Sequence, residues 1–243
     1  QEFVDVNDHH FFMRTVYEKG GSTNELMEEL ESVLPENARI RLTRSRKKPI
    51  LVMATKEPHC LGELLIKNAY DEYPTDIVAV ISNHSKLKPL VQSFNLPFHV
   101  VPHKNLSRKE HEHEINNVLK QYSPTYIVLA KYMRIFTPDF VARWRNSIIN
   151  IHHSFLPAFV GARPYQQAYN RGVKIIGATA HFVTEDLDEG QIIAQDVIPV
   201  NHNYTAEDMA NAGRDVEKIV LSKAVKMVLE EKVFIFKNRT VVL

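Results

Sequence analysis

Short apolar runs at Phe3 to Val6 and Phe11 to Tyr17, with the polar stretch Asn7-Asp8-His9-His10 between them, predict two strands joined by a turn. Between Asn24 and Leu34, the apolar residues Leu26, Met27, Leu30 and Leu34 recur at helical spacing, which predicts a helix. Ala38 to Leu42 alternates apolar and polar residues and predicts one more strand. The basic run Arg44-Ser45-Arg46-Lys47-Lys48 then ends at Pro49. Such a run is either a nucleic-acid patch or a solvated linker, and the closing proline favours a boundary.

From Ile50 the rhythm changes. Strands are predicted at Ile50 to Ala54, Ile77 to Ile81, Phe98 to Val101, Tyr126 to Ala130 and Ile148 to Ile151. Helical segments separate them at Cys60 to Tyr70, Leu87 to Phe94, Arg108 to Tyr122 and Pro138 to Trp144. Runs of β-branched residues between helices read as parallel strands buried on both faces. Ile175 to Val183 and Ile192 to Val200 are separated only by an acidic stretch, which allows a hairpin and no helical crossover. A long helix from Ala206 to Glu230 follows, with a possible edge strand at Thr240 to Val242. The expected fold class is α/β: a doubly wound, mostly parallel sheet with an antiparallel end, behind a small N-terminal α+β module. The domain limits are 1–45 and 49–243.

Composition narrows the function classes. The chain has 243 residues, a formal net charge of +1, 44% hydrophobic and 24% charged residues, so it can bury a full core without disulfides or structural metals. The near-neutral balance argues against nucleic acid or an anionic membrane as partner. No apolar run approaches the ~20 residues of a membrane span. The single cysteine, Cys60, forms no intrachain disulfide and fits a reducing compartment. The polar, acidic start matches neither a signal nor a transit peptide. No Met opens the chain, so residues are expected upstream. The expected location is the cytoplasm, with an organelle left open.

In an open α/β sheet, chemistry sits beyond the carboxyl ends of the parallel strands. Thr55-Lys56-Glu57-Pro58-His59 follows the first of them and is no glycine-rich phosphate loop. Dinucleotide and P-loop motifs are absent, which removes most support for nicotinamide or nucleotide chemistry. Lys131 to Phe136 could wall a flat heterocycle or fill core between strand and helix. Asn150 and His152 stand two apart at a strand end, on one side of the sheet, as site candidates or as ties for the next loop. His153 and Ser154 have no nucleophile-elbow context. His181 and the hairpin Thr184 to Gly190 form a third group, in which apolar Leu187 suggests a loop tucked inward to present one carboxylate. The histidine and carboxylate spacing matches no zinc signature. His111 and His113 read as a solvated helix surface.

The stretches Leu129 to Phe136 (LAKYMRIF), Asn150 to Pro157 (NIHHSFLP) and His181 to Ile193 (HFVTEDLDEGQII) resemble, in order and spacing, the active-site segments of the folate-dependent formyl-transfer family. His59 to Leu65, Gly161 to Gly190 and Gly213 to Val225 resemble its formyltetrahydrofolate deformylase branch. The resemblance covers Ile50 to Leu243. Phe3 to Arg14 resembles the C-terminal part of an ACT domain, a ferredoxin-like βαββαβ module, here lacking its first strand and helix.

That resemblance implies a formyltransferase-like catalytic domain that hydrolyses 10-formyltetrahydrofolate to tetrahydrofolate and formate, with no metal or redox cofactor. It places the family's catalytic Asn, His and Asp on Asn150, His152 and Asp188. Asn150 and His152 would stabilise the oxyanion and supply a proton. Asp188 would orient or deprotonate the water and raise the His152 pKa. Arg134 to Phe136 would read the pterin edge with backbone groups. Leu129, Met133, Ile135, Phe140, Ile148 and Val183 would wall it, Phe136 belonging to the same site. The implied partners are the folate substrate, further copies of the chain, and an amino-acid effector at the ACT-like module. Two alternatives stand beside this reading: transfer of the formyl group to an amine such as glycinamide ribonucleotide, and a non-catalytic folate or amino-acid sensor.

Overall fold

The computed structural model describes residues 1–18, 22–158 and 164–243. Gln1–Arg46 and Lys47–Val242 form two compact units.

In the first unit, β1 (Glu2–Asp5) pairs antiparallel with β2 (His10–Met13), and α1 (Thr23–Val33) follows. The buried Asp5 carboxylate shapes the turn by accepting hydrogen bonds from Asn7 N (3.2 Å) and Asp8 N (3.1 Å). Ser22 caps α1 by accepting from Asn24 N. The strand expected at Ala38 to Leu42 is not present. Alternation gives a strand only where another strand completes the ladder, and residues 38–42 join no sheet among the described residues.

The second unit begins with β3 (Lys48–Ala54), α2 (His59–Ala69) and β4 (Thr75–Ser82). A 3-10 turn (Ser85–Leu87), α3 (Lys88–Gln92), β5 (Phe98–Val100), α4 (Arg108–Tyr122) and β6 (Tyr126–Ala130) continue it. Then come α5 (Pro138–Arg143), β7 (Ile148–His152), α6 (Pro164–Arg171), β8 (Ile175–Phe182) and β9 (Ile192–Pro199). The long α7 (Ala206–Leu229) and the hairpin of β10 (Val233–Phe236) and β11 (Arg239–Val242) close the unit. The order in the main sheet is β5-β4-β3-β6-β7-β8-β9. Strands β5 to β7 are parallel, while β8 and β9 are antiparallel. This is the expected α/β sheet with its antiparallel end. The edge strand anticipated at Thr240 to Val242 instead pairs with β10, outside the main sheet.

Strand periodicity divides the core. Ile50, Val52 and Ala54 of β3 pack on one face with α2 and α7, and Leu51 and Met53 pack on the other with Ile115 and Leu119 of α4. On α7, Val220, Leu221, Ala224 and Val225 are essentially sealed from solvent, and each large side chain among them contributes about 1.5–3 kcal/mol. Capping boxes fix two helix starts, Ser107 with Glu110 on α4 and Thr205 with Asp208 on α7.

His111 and Glu112 on α4 are buried, not solvated as their polarity suggested, whereas His113 and Glu114 are exposed. Burial is tolerated because each finds partners. His111 Nε2–H donates to the Val101 carbonyl at 3.0 Å, and the Glu112 carboxylate accepts from both the backbone N–H and the hydroxyl of Thr137. Among the described residues, no helix is long and apolar enough to cross a membrane.

Candidate active site

Sheet register assembles the centre of the site. Leu129 on β6 lies beside Asn150 on β7, and Asn150 lies opposite His181 on β8. Asn150 and His152 therefore share a face with His181 at the carboxyl end of β7. Asp188 arrives from the β8–β9 loop. It takes a left-handed conformation (φ 60°), which aspartate tolerates better than most residues. Gly190 lets that loop lie against β8, because a Cβ there would stand 1.6 Å from the Phe182 carbonyl oxygen. The loop turns inward at one point and presents one carboxylate, Asp188, while Leu187 is 55% exposed. A single left-handed residue rotates successive side chains apart, so only one of the neighbours can face the sheet.

The hydrogen bonds define the protons. His181 Nδ1–H donates to the Phe182 carbonyl at 2.8 Å, so Nε2 is the acceptor for the Asn150 Nδ2–H at 3.2 Å. Burial lowers the His181 pKa against the opposing pull of Phe182 and Asp188, which keeps the ring neutral. His152 Nδ1 lies 3.2 Å from Asp188 Oδ2. His152 Nε2 is buried without a hydrogen-bond partner. Asp188 Oδ1 stands 3.7 Å from His181 Nε2, beyond hydrogen-bond reach. Burial would raise the Asp188 carboxyl, but the hydrogen bond and charge of His152 hold it below the usual carboxylate value. Thr179 anchors the loop after β7: its hydroxyl donates to the Ser154 carbonyl (2.9 Å) and accepts from Leu156 N (3.0 Å).

The expected apolar wall divides in two. Leu129, Phe136, Phe140 and Ile148 belong to one buried cluster, with Val183 packed against it. Phe136 stacks between Tyr132 and Phe140, at ring separations of 5.7 and 4.3 Å. Phe140 and Ile148 are closed off from solvent, so they support the wall from behind. Arg134 is exposed, as are Met133 and Ile135 at 58% and 51%. The loop carrying them is tied down where Met133 N donates to Thr55 Oγ1 at 3.0 Å. The β3–α2 loop carries Glu57, whose carboxylate lies 3.7 Å from Arg214 Nε, as no phosphate cradle would.

A second polar group, unassigned by the sequence reading, stands beside the first. Glu217 on α7 is 1% exposed. Its carboxylate accepts from His59 Nε2 (2.7 Å), the Tyr165 hydroxyl (2.7 Å) and Lys131 Nζ (3.1 Å). Burial alone would raise its pKa, yet the His59 hydrogen bond, the Lys131 charge and the Tyr165 hydrogen bond hold it at about 2. Lys131, directly after β6, is 6% exposed and left-handed (φ 62°). His59, Cys60 and Glu217 place ligand-type atoms within 4.8 Å of one another. The Lys131 ammonium already answers the carboxylate there, and burial pushes the Cys60 thiol well up, so this donor set is poorly suited to a cation. One signal for Glu217 was present: with Gly213, Leu221 and Ala224 it lies on the buried stripe of α7 at helical spacing.

Residues 48–225 match the family model described as formyl transferase. The formyltetrahydrofolate deformylase of Haemophilus influenzae is 55% identical over 242 residues, covering 100% of this chain and 87% of that relative. The crystal structure of a formyltetrahydrofolate deformylase from Pseudomonas syringae pv. tomato aligns with a TM-score of 0.93 at 39% identity, over 100% of this chain and 83% of that one. A phosphoribosylglycinamide formyltransferase from Anaplasma phagocytophilum aligns with a TM-score of 0.75 at 32% identity, over 81% of this chain and 95% of that one.

Proposed function

The chain belongs to the formyl transferase family and, within it, to the formyltetrahydrofolate deformylases; from that premise we propose how its residues hydrolyse 10-formyltetrahydrofolate to tetrahydrofolate and formate. The observation that carries the reading is the His152–Asp188 pair, whose free imidazole nitrogen is buried and unsatisfied, on the strand that also carries Asn150 two residues away. A buried polar atom without a partner is costly, and a substrate supplies that partner.

The formyl group lies with its oxygen toward Asn150 and its nitrogen, N10, toward His152. His181 takes one hydrogen of the Asn150 amide, which aims the other at the oxyanion that forms on attack. The His152–Asp188 pair receives a proton from water as the water oxygen bonds to the formyl carbon. It returns a proton to N10 as the C–N bond breaks, and formic acid then ionises. Asp188 Oδ1 is placed to orient the water, while Oδ2 fixes the imidazole. Leu129 and the half-buried Val183, backed by Phe136, Phe140 and Ile148, offer an apolar wall to the pterin. The backbone of residues 134–136 offers hydrogen bonds at its edge.

The experiment is incubation of the purified chain with 10-formyltetrahydrofolate and no acceptor. Formate and tetrahydrofolate should appear in equal amounts. Formate released only when an amine is supplied would replace hydrolysis with transfer.

A further inference from the structure

The strand order turns around at β3. The chain runs outward from β3 to β4 and β5, then returns to place β6 on the other side of β3. Such a turnaround opens a crevice beyond the carboxyl ends of the two strands, where open α/β sheets ordinarily take their ligand. In this protein the crevice is full. Lys131 enters it from β6, His59 from the start of α2, Tyr165 from α6, and Glu217 meets all three from α7. The Glu217 oxygens are satisfied within the network, and the Lys131 charge is met inside it.

The network borders the hydrolytic pair. Since Leu129 is in register with Asn150, Lys131 leaves β6 level with His152. The Tyr165 ring lies 6.2 Å from His153, and His153 lies 5.1 Å from His152. The tip of Tyr165 is seated on Gly213, where a Cβ would stand 2.1 Å from the phenol oxygen. An apolar cavity of about 70 Å³, lined by His153, Tyr165, Ala168, Ile176 and Gly177 among others, adjoins the same ring.

We propose that His59, Lys131, Tyr165 and Glu217 form an acceptor-excluding plug: they fill the crevice beside the triad through which an amine would approach the formyl carbon, and leave water as the only acceptor. The same fold serves proteins named phosphoribosylglycinamide formyltransferases, so the scaffold itself does not forbid an amine. In transfer, the amine nitrogen bonds to the formyl carbon in place of the water oxygen. The C–N10 bond breaks, N10 takes the proton that the amine gives up, and the product is a formamide. The plug blocks this step because an amine carries substituents that need the space held by Tyr165 and its partners, whereas water carries none. The proposal rests on the deformylase reading and names the residues that make it a hydrolase.

Two variants open the plug without removing a charge. Tyr165→Ala deletes the ring. Gly213→Ala adds the Cβ that displaces it, at a helix position where alanine is favoured over glycine. Wild type and variants are incubated with 10-formyltetrahydrofolate and glycinamide as a small amine, and N-formylglycinamide and formate are both quantified. Wild type should give formate with formamide at most in trace. Either variant should raise the ratio of formamide to formate by about tenfold or more over that trace while hydrolysis continues. If Tyr165→Ala fails to fold, Gly213→Ala carries the test. Folded variants with the wild-type product ratio, or a wild type that formylates glycinamide, would overturn the plug. No formate from wild type would overturn the underlying hydrolase reading instead.

Discussion

His152 gives its Nδ1 to Asp188 at 3.2 Å and keeps Nε2 buried with no hydrogen-bond partner. One nitrogen is held and the other is ready, which is the condition a proton-transfer group must meet. The carboxylate holds the ring through that contact.

Asp188→Asn tests that relationship. The amide keeps the size of the side chain and loses the charge. Turnover should fall about 100-fold or more, while a folate analogue binds nearly as before, because the apolar wall proposed for the pterin does not include Asp188. Isothermal titration alongside single-turnover kinetics separates the two. Equal loss of binding and rate would make Asp188 a pocket-shaping residue.

His181 is expected to act through Asn150, which it meets at 3.2 Å. His181→Phe leaves the Asn150 amide without its acceptor, and kcat should fall by about tenfold or more with KM little changed. His181→Gln, whose oxygen can accept the same hydrogen, should recover much of the loss. A variant pair with indistinguishable kcat would show that the Asn150–His181 bond at 3.2 Å has no part in the rate.

Glu217 and His153 govern the acid limb of stability. The Glu217 carboxyl is held at about 2 against an ordinary 4.5, so the unfolded chain binds the extra proton between those values. Its contribution, on the order of 3 kcal/mol, is complete above pH 4.5 and is lost as pH falls toward 2. Burial, with the charges of Lys131 and His152, holds His153 at about 4 against 6.5. That contribution is complete above pH 6.5 and is lost as pH falls through 4. Urea midpoints followed from neutral pH into acid should decline in both windows. His153→Gln should flatten the upper decline and Glu217→Gln the lower. An unaltered lower slope in Glu217→Gln would mean the carboxyl is not ionised in the folded protein.

Glu112 secures the far side of the apolar wall. Its buried carboxylate takes both donors of Thr137, and Thr137 in turn caps α5 by accepting from Phe140 N. Glu112→Ala leaves those donors unpaired. It should cost about 2 to 3 kcal/mol, a Tm fall of about 5 to 10 °C for a chain of this size. Thermal melts decide it: an unchanged Tm would mean that water satisfies Thr137 equally well.

Local pattern determined much of this protein. Helix α4 and strand β6 run over the residues that periodicity marked, and the motif around Asn150, His152 and Asp188 could be read along the chain. Periodicity succeeds there because a buried strand or an amphipathic helix writes its own burial into consecutive residues. Residues 38–42 alternate as a strand does but join no sheet among the described residues, and α6 carries too few apolar residues to announce itself. Tertiary structure alone decided that His111 and Glu112 are buried, and that His59, Lys131, Tyr165 and Glu217 converge on one crevice. A buried charge is stable only when partners meet it, and Glu217 on α7 takes its partners from three distant places, α2, α6 and the end of β6, that only the tertiary fold brings together.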